Sequence, residues 1–308
     1  MKVHALARWP HLGEHLAAIH RHLNDDIRGE FIVDRQARAN KAWGPTDIVM
    51  VASYLDIEAA RGRPVIYVEH GAGQRYEGAN PRAARYYHGS EHPENVIGYI
   101  CPRQDVADSW GRPAIAVGSP ICDPYELYGP ERCAAIAFHW NGAAPDKVGV
   151  PEAGTALEHY VNDLGRIVDA LRRDGYEVLA HGHPRFNHMH SVWKKLGMTM
   201  VSADEVRRRA QLLIADNTSL MYEMSYLMRD VVALNAPWYR RDVDHGLRFW
   251  SHVPGTQVDG PDELIELLEY HDGFWDPNVI GYTYGKSISD GYDGQRAAAW
   301  VTMQASSI

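Results

Sequence analysis

Short apolar runs alternate with helix-like stretches along this chain, and the alternation occurs in two successive sets. The first set comprises Val3 to Ala7, Phe31 to Val33, Ile48 to Val51, Val65 to Val68, Val96 to Ile100 and Ala114 to Val117. The second comprises Ala134 to Phe138, Tyr176 to Ala180, Thr199 to Val201, Leu212 to Ala215 and Val231 to Leu234. Runs this short and this apolar suit strands buried on both faces. Leu12 to Leu23, Asp56 to Arg61, Arg103 to Trp110, Thr155 to Arg173 and Ser219 to Leu227 read as helices, the crossovers that parallel strands need. The pattern predicts an α/β protein with two parallel sheets. The Pro- and Gly-rich stretch Gly118 to Pro130 separates the sets and marks a boundary near residue 130. Asp262 to Tyr270 and Gly294 to Gln304 read as later helices, with turn-rich Gly281 to Tyr292 between them.

Composition agrees with two units and excludes several classes. A chain of 308 residues, 45% hydrophobic, is long enough for two domains of about 150 residues with a core each. No run of about 18 apolar residues is present to span a bilayer. The N-terminus lacks the apolar core and small-residue cleavage site of a secretory signal, so a cytoplasmic protein is expected. Cys101, Cys122 and Cys133 are odd in number and lack CxxC spacing, which speaks against a disulfide framework or a thiolate zinc site. A formal net charge of −9 disfavours a nucleic-acid acceptor. The basic run Arg207-Arg208-Arg209 reads as a solvated helix face.

Seventeen histidines invite a metal reading through His181-x-His183, His188-x-His190 and Asp216. No HExxH motif and no third ligand at a standard spacing accompanies them, so no metal is expected. His4, His11, His15, His20 and His22 lie on or beside the first helix and read as surface or packing residues. The chain also lacks a complete GxGxxG, a Walker A motif and a GxSxG elbow.

The segment Leu212 to Asn235 carries the clearest chemistry. It reads as strand, polar turn, helix and strand, with Asn217, Thr218 and Ser219 at the turn. The unpartnered N–H groups and partial positive charge of a helix start suit a phosphate, with the hydroxyls donating as well. The same three residues also suit a plain helix cap. Upstream, a strand ends in His181-Gly182-His183-Pro184-Arg185, and in an open α/β sheet such ends collect ligands. His183 and Arg185 suit a pyrophosphate, which a guanidinium can grip with two bonds. Glu223, four residues after Ser219, lies one turn along the helix, within reach of a ribose diol.

The order of strand, His-Pro, about thirty residues, then strand-Asp-x-Thr-Ser-x-x-x-Glu resembles the CDP-glycerol glycerophosphotransferase family of teichoic-acid polymerases. In the first half the resemblance rests on Glu69-His70-Gly71, after the run Val65 to Val68. It implies the GT-B glycosyltransferase fold, two Rossmann-like doubly wound parallel-sheet domains facing a central cleft. The implied domains are an acceptor domain at 1–130, a nucleotide-donor domain at 131–285, and a tail or helix at 286–308 of the kind that often crosses back onto the first domain. By the resemblance, His70 is the catalytic base, His183 the donor-phosphate histidine, and Thr218, Ser219 and Glu223 the donor-binding turn and helix. Glu69 stands with His70 as a candidate catalytic residue that orients the base if the backbone turns there. Neighbouring residues on a strand point to opposite faces, which favours a structural or acceptor-binding role for it. The chain departs from the family in having Asn217 where an aromatic residue usually follows the aspartate, and Ala72-Gly73-Gln74 in place of a Thr-Pro pair.

The implied activity is metal-independent transfer of a sugar or polyol-phosphate group to an acceptor hydroxyl. The donor, CDP- or UDP-linked, is a substrate and no cofactor is expected. The acceptor is a glycan, a polyol or another hydroxyl compound. Arg75, Tyr76, Arg82, Arg85, Tyr86, Tyr87 and His88 suit an acceptor side and equally an ordinary amphipathic helix. Three other readings stay open: a sugar-nucleotide 2-epimerase of the same architecture, a non-catalytic nucleotide-binding protein, and a histidine-cluster metal hydrolase.

Overall fold

The computed structural model of the chain describes residues 1–70, 74–75, 94–125, 129–139, 155–182, 189–216, 218–237, 249–250, 253–270 and 289–308. The chain divides into two compact units. Unit 1 comprises Met1–Ala72, Arg82–Glu126 and Gly281–Ile308, and unit 2 comprises Gly73–Pro81 and Leu127–Ile280.

Unit 1 is built on strands β1 (Val3–Ala7), β2 (Arg28–Val33), β3 (Ile48–Val51), β4 (Val65–Val68), β5 (Val96–Cys101) and β6 (Ala114–Ala116). They form one sheet in the order β2-β1-β3-β4-β5-β6, and every pairing is parallel. Every residue of β1, β3 and β4 is buried, as continuous apolar runs require of strands covered on both faces. Helix α1 (Pro10–His20) opens on a proline at its first position, where a missing N–H costs nothing. A second helix, α2 (Gln104–Ser109), follows β5. The stretch Asp56 to Arg61 is a correction to the expected helix. It forms two 3₁₀ turns, Tyr54–Asp56 and Glu58–Ala60, and ends at Arg61 and Gly62 with positive φ of 54° and 75°.

The C-terminal helix, Asp293–Ser306, belongs to unit 1 and packs on α1. Ala297, Trp300, Val301 and Ala305 join Leu12, Leu16 and Ile19 in one core. The Asp123 carboxylate accepts the N–H groups of Asp293 at 3.2 Å and Gly294 at 2.7 Å, satisfying donors that a helix start leaves open. Asp293 in turn accepts the Ser119 N–H at 2.7 Å. Two glycines permit the close approach: a Cβ at Gly294 would overlap the Ala18 carbonyl, and one at Gly98 would lie 2.6 Å from the Trp300 ring.

Unit 2 is built on β7 (Cys133–Phe138), β8 (Glu177–Gly182), β9 (Thr199–Met200), β10 (Ala210–Ala215), β11 (Asp230–Leu234) and β12 (Thr256–Val258). Their order is β9-β8-β7-β10-β11-β12, again all parallel. A separate two-residue ladder pairs Gln74–Arg75 antiparallel with Phe249–Trp250. The helices are α3 (Leu157–Tyr160), α4 (Leu164–Arg173), α5 (His190–Lys195), α6 (Ala203–Arg209), α7 (Leu220–Tyr226) and α8 (Pro261–Tyr270). The single helix expected from Thr155 to Arg173 is thus two, α3 and α4, and Thr155 precedes both. Among the described residues, no helix is long and apolar enough to cross a membrane.

The arginine run on α6 is a further correction. Ser202 and Glu205 form a capping box that fixes where the helix starts, and Val206 and Arg207 fall on its buried side. Arg208 is exposed, whereas Arg209 bonds Glu131 at 2.8 Å and Glu177 at 2.6 Å. One helix turn therefore presents three consecutive arginines to three different surroundings, as a step of about 100° per residue requires.

Candidate functional site

In unit 2 the strand order reverses between β7 and β10, the point at which open α/β sheets bind ligands beyond their carboxyl ends. Asp216 follows β10 there and is 0% exposed. One carboxylate oxygen accepts the His139 N–H, just after β7, at 2.7 Å. The other accepts the Thr155 hydroxyl at 2.7 Å and the Ala156 N–H at 2.8 Å. Asp216 therefore clamps the ends of the two strands to the entry of α3. Sequence reasoning weighed it as a metal ligand and as the aspartate of the strand-Asp-x-Thr-Ser motif but gave it no clamping role, although an Asp directly after an apolar strand at a reversal was the available signal.

Thr218 and Ser219 come next, both half-buried, and lead into α7. The Thr218 hydroxyl accepts the Leu220 N–H at 3.3 Å, so the capping role falls to this residue. Ser219 makes no side-chain cap bond. Glu223 is buried on α7, and its carboxylate accepts the Arg207 Nε–H at 2.7 Å. His181, at the end of β8, bonds the Val201 carbonyl through Nδ1 at 3.1 Å. Burial first, and then the Arg207 charge, hold its imidazole below the ordinary range, against the pull of the Val201 carbonyl and Glu223. Asn217, His183 and Arg185 lie outside the described residues, as do His188 and the residues from Tyr76 to His88.

In unit 1 the corresponding reversal lies between β1 and β3. Arg8, after β1, bonds the buried Asp56 carboxylate and the Leu55 carbonyl beyond β3. One strand over, Glu69 and His70 follow β4, both half-buried. The Glu69 N–H bonds the Ile100 carbonyl at 2.8 Å, which continues the pairing of β4 with β5. The His70 ring meets that of His15, on α1, edge to face with centroids 6.2 Å apart. A histidine read as a surface or packing residue therefore stands beside the expected base. The signal for it lay in topology, since α1 begins at the carboxyl end of β1 and returns over the sheet.

Among the described residues, the side chains with metal-binding geometry are Glu131, Cys133 and Glu177. They lie at the opposite, N-terminal edge of the unit 2 sheet. Arg209 already bonds both carboxylates, and burial pushes the Cys133 thiol up to about 11, which disfavours the thiolate a metal would need.

No family profile and no curated protein sequence matches the chain. Solved structures do. The wall teichoic acid polymerase TagF superposes with a TM-score of 0.64 at 13% identity, over 99% of this chain and 89% of that one. Staphylococcus aureus MnaA in complex with UDP superposes with a TM-score of 0.55 at 11% identity, over 100% and 96%. A Listeria monocytogenes protein assigned as a UDP-N-acetylglucosamine 2-epimerase gives 0.56 at 11%, over 99% and 96%. At these identities the likeness shows the fold. The chain has the GT-B fold of two Rossmann-like α/β units, as its sequence predicted.

Proposed function

We propose that the protein is a GT-B transferase that moves a sugar or polyol-phosphate group from a CDP- or UDP-linked donor to an acceptor hydroxyl. The observation that carries this reading is the position of Thr218 and Ser219 at the carboxyl end of β10, beside the strand-order reversal clamped by Asp216. The Ser219 hydroxyl, which takes no part in capping α7, donates to the donor's phosphates, and His183 and Arg185 supply positive charge. These groups stabilise the negative charge that grows on the departing nucleotide phosphate, and the chemistry they supply requires no metal.

In unit 1, His70 accepts the proton of the acceptor hydroxyl as its oxygen bonds to the transferred group. The bond to the nucleotide's phosphate breaks in the same step, and the electron pair leaves with that phosphate. An alcohol has a pKa far above seven and needs such a base, and an imidazole with an ordinary value near 6.5 suits the task. Glu69 serves the acceptor side, and Glu223 accepts from the donor's ribose. The nucleotide-bearing neighbours, a TagF variant soaked with CDPG and MnaA with UDP, support a nucleotide substrate.

The likeness to 2-epimerases supports a second reading, in which the same fold isomerises the nucleotide sugar. Thermal stabilisation by CDP, UDP, GDP, ADP and dTDP, each with and without EDTA, tests the shared premise. A ligand at 100 times its Kd adds about 2.7 kcal/mol, enough to move the midpoint by a few degrees. A shift that survives EDTA is expected with one pyrimidine nucleotide, and no shift with any nucleotide would overturn both readings. Acceptor-dependent release of nucleotide then marks the transferase, and isomerised sugar without release marks the epimerase.

A further inference from the structure

His15 lies on α1 between Leu12 and Leu16, both buried in the core that this helix shares with β1 and the C-terminal helix. The helix is therefore held from two sides, by the sheet and by Ala297, Trp300 and Val301. From this platform the half-buried His15 ring meets the half-buried His70 ring with 6.2 Å between centroids and 70° between planes. The separation lies inside the range in which aromatic pairs attract edge to face. It also leaves the nearest ring nitrogens at least about 4 Å apart, beyond hydrogen-bond reach, so no proton passes directly between the rings. What the contact supplies is orientation. The Glu69 N–H bond to the Ile100 carbonyl fixes the backbone just before His70, but the imidazole beyond it still turns about its two side-chain bonds. A positive ring edge against a negative ring face favours one tilt, whichever ring presents the edge. Tilt matters to a base, which must bring a nitrogen within about 3 Å of the hydroxyl it deprotonates, and a misplacement of about 1 Å can cost 100-fold.

We propose that His15 is a positioning residue whose ring fixes the tilt of the His70 imidazole, so that a nitrogen lone pair faces the acceptor hydroxyl. The inference rests on the reading of His70 as the acceptor's base. It also accounts for an imidazole at the border of the buried face of α1, where packing alone asks only for apolar bulk.

The test compares His15→Phe, which keeps an aromatic ring, with His15→Leu, which keeps apolar bulk alone, in the full chain. One readout is the mobility of the His70 ring, from NMR relaxation of isotope-labelled histidines. The other is steady-state release of nucleotide from CDP-glycerol or UDP-N-acetylglucosamine, with glycerol or N-acetylglucosamine as the acceptor. His15→Leu should free the His70 ring and lower kcat about 10- to 100-fold, with KM for donor and acceptor within about twofold. His15→Phe should keep the ring ordered and kcat within about threefold of the wild type. A purely structural role would instead follow the melting midpoint and lower kcat in both variants alike. His15→Ala replaces His15→Leu in the comparison should the latter fail to fold. A kcat that survives loss of the aromatic ring overturns the inference, as does a His70 ring equally mobile in the wild type and His15→Leu. Those outcomes leave His70 standing as the base. A wild type that releases no nucleotide with any of these pairs overturns the underlying reading as well.

Discussion

The carboxylate of Asp216, beyond β10, accepts the backbone N–H of His139, beyond β7, at 2.7 Å, and so ties together the two strands at which the order of unit 2 reverses. The same side chain takes the Thr155 hydroxyl and the Ala156 N–H, so its loss orphans three buried or half-buried donors. Asp216→Asn should destabilise unit 2 by about 1–3 kcal/mol, and Asp216→Ala by more, because unsatisfied buried polar groups carry their full desolvation cost. Urea unfolding followed by tryptophan fluorescence measures this. Wild-type stability in Asp216→Ala would contradict the clamp.

Stability should fall on mild acidification. His4 and His20 in unit 1 and His181 in unit 2 are all held below the ordinary imidazole range, in each case first by burial. For His20 the Arg28 charge acts in the same direction, and for His4 the Asp47 carboxylate partly opposes the shift. The unfolded chain titrates near 6.5, so below that value it binds more protons than the folded state does. The contribution is complete above about pH 6.5 and is lost as pH falls through that value toward the folded-state values. Each group adds a slope of at most about 1.4 kcal/mol per pH unit. Urea midpoints should therefore be lower at pH 5.5 than at pH 7.5, and equal midpoints would contradict these assignments.

Two glycine substitutions should separate backbone from side-chain crowding at the C-terminal helix. Gly294→Ala drives a methyl into the Ala18 carbonyl and has no soft way out, whereas Gly98→Ala meets only the edge of the Trp300 ring. Overpacking costs typically about 1–3 kcal/mol, so Gly294→Ala should lower the melting midpoint by more than Gly98→Ala. Adding Trp300→Phe should restore much of the loss in Gly98→Ala. The reverse ranking would show that the helix contacts α1 differently.

The strands were legible because each parallel strand writes its own burial as a continuous apolar run. Ile48 to Val51 and Val65 to Val68 match the observed strands residue for residue. Thr256–Val258 escaped because three residues at a sheet edge, buried only at Val258, carry no such run. The break between α3 and α4 at Val161 to Asp163 also escaped, since the apolar spacing continues across it. The turn at Thr218 and Ser219 could be found because it is local in sequence. Arg207 meets Glu223 across a whole strand, and His15 meets His70 across three, so neither pairing leaves a local mark.

His70→Ala should abolish turnover while leaving nucleotide affinity within a few-fold, since His70 belongs to unit 1 and the donor turn to unit 2. Single-turnover assays beside binding titrations separate the two effects. Equal loss of binding and turnover would give His70 a different role.

The most direct measurement is the affinity of Ser219→Ala for CDP and UDP, by titration calorimetry in EDTA, beside the wild type. A lost charge-assisted hydrogen bond to phosphate should weaken binding by about 1–3 kcal/mol, roughly 5- to 150-fold, with the fold intact. Unchanged affinity in Ser219→Ala, or wild-type binding that EDTA abolishes, would contradict a metal-independent donor site at the end of β10.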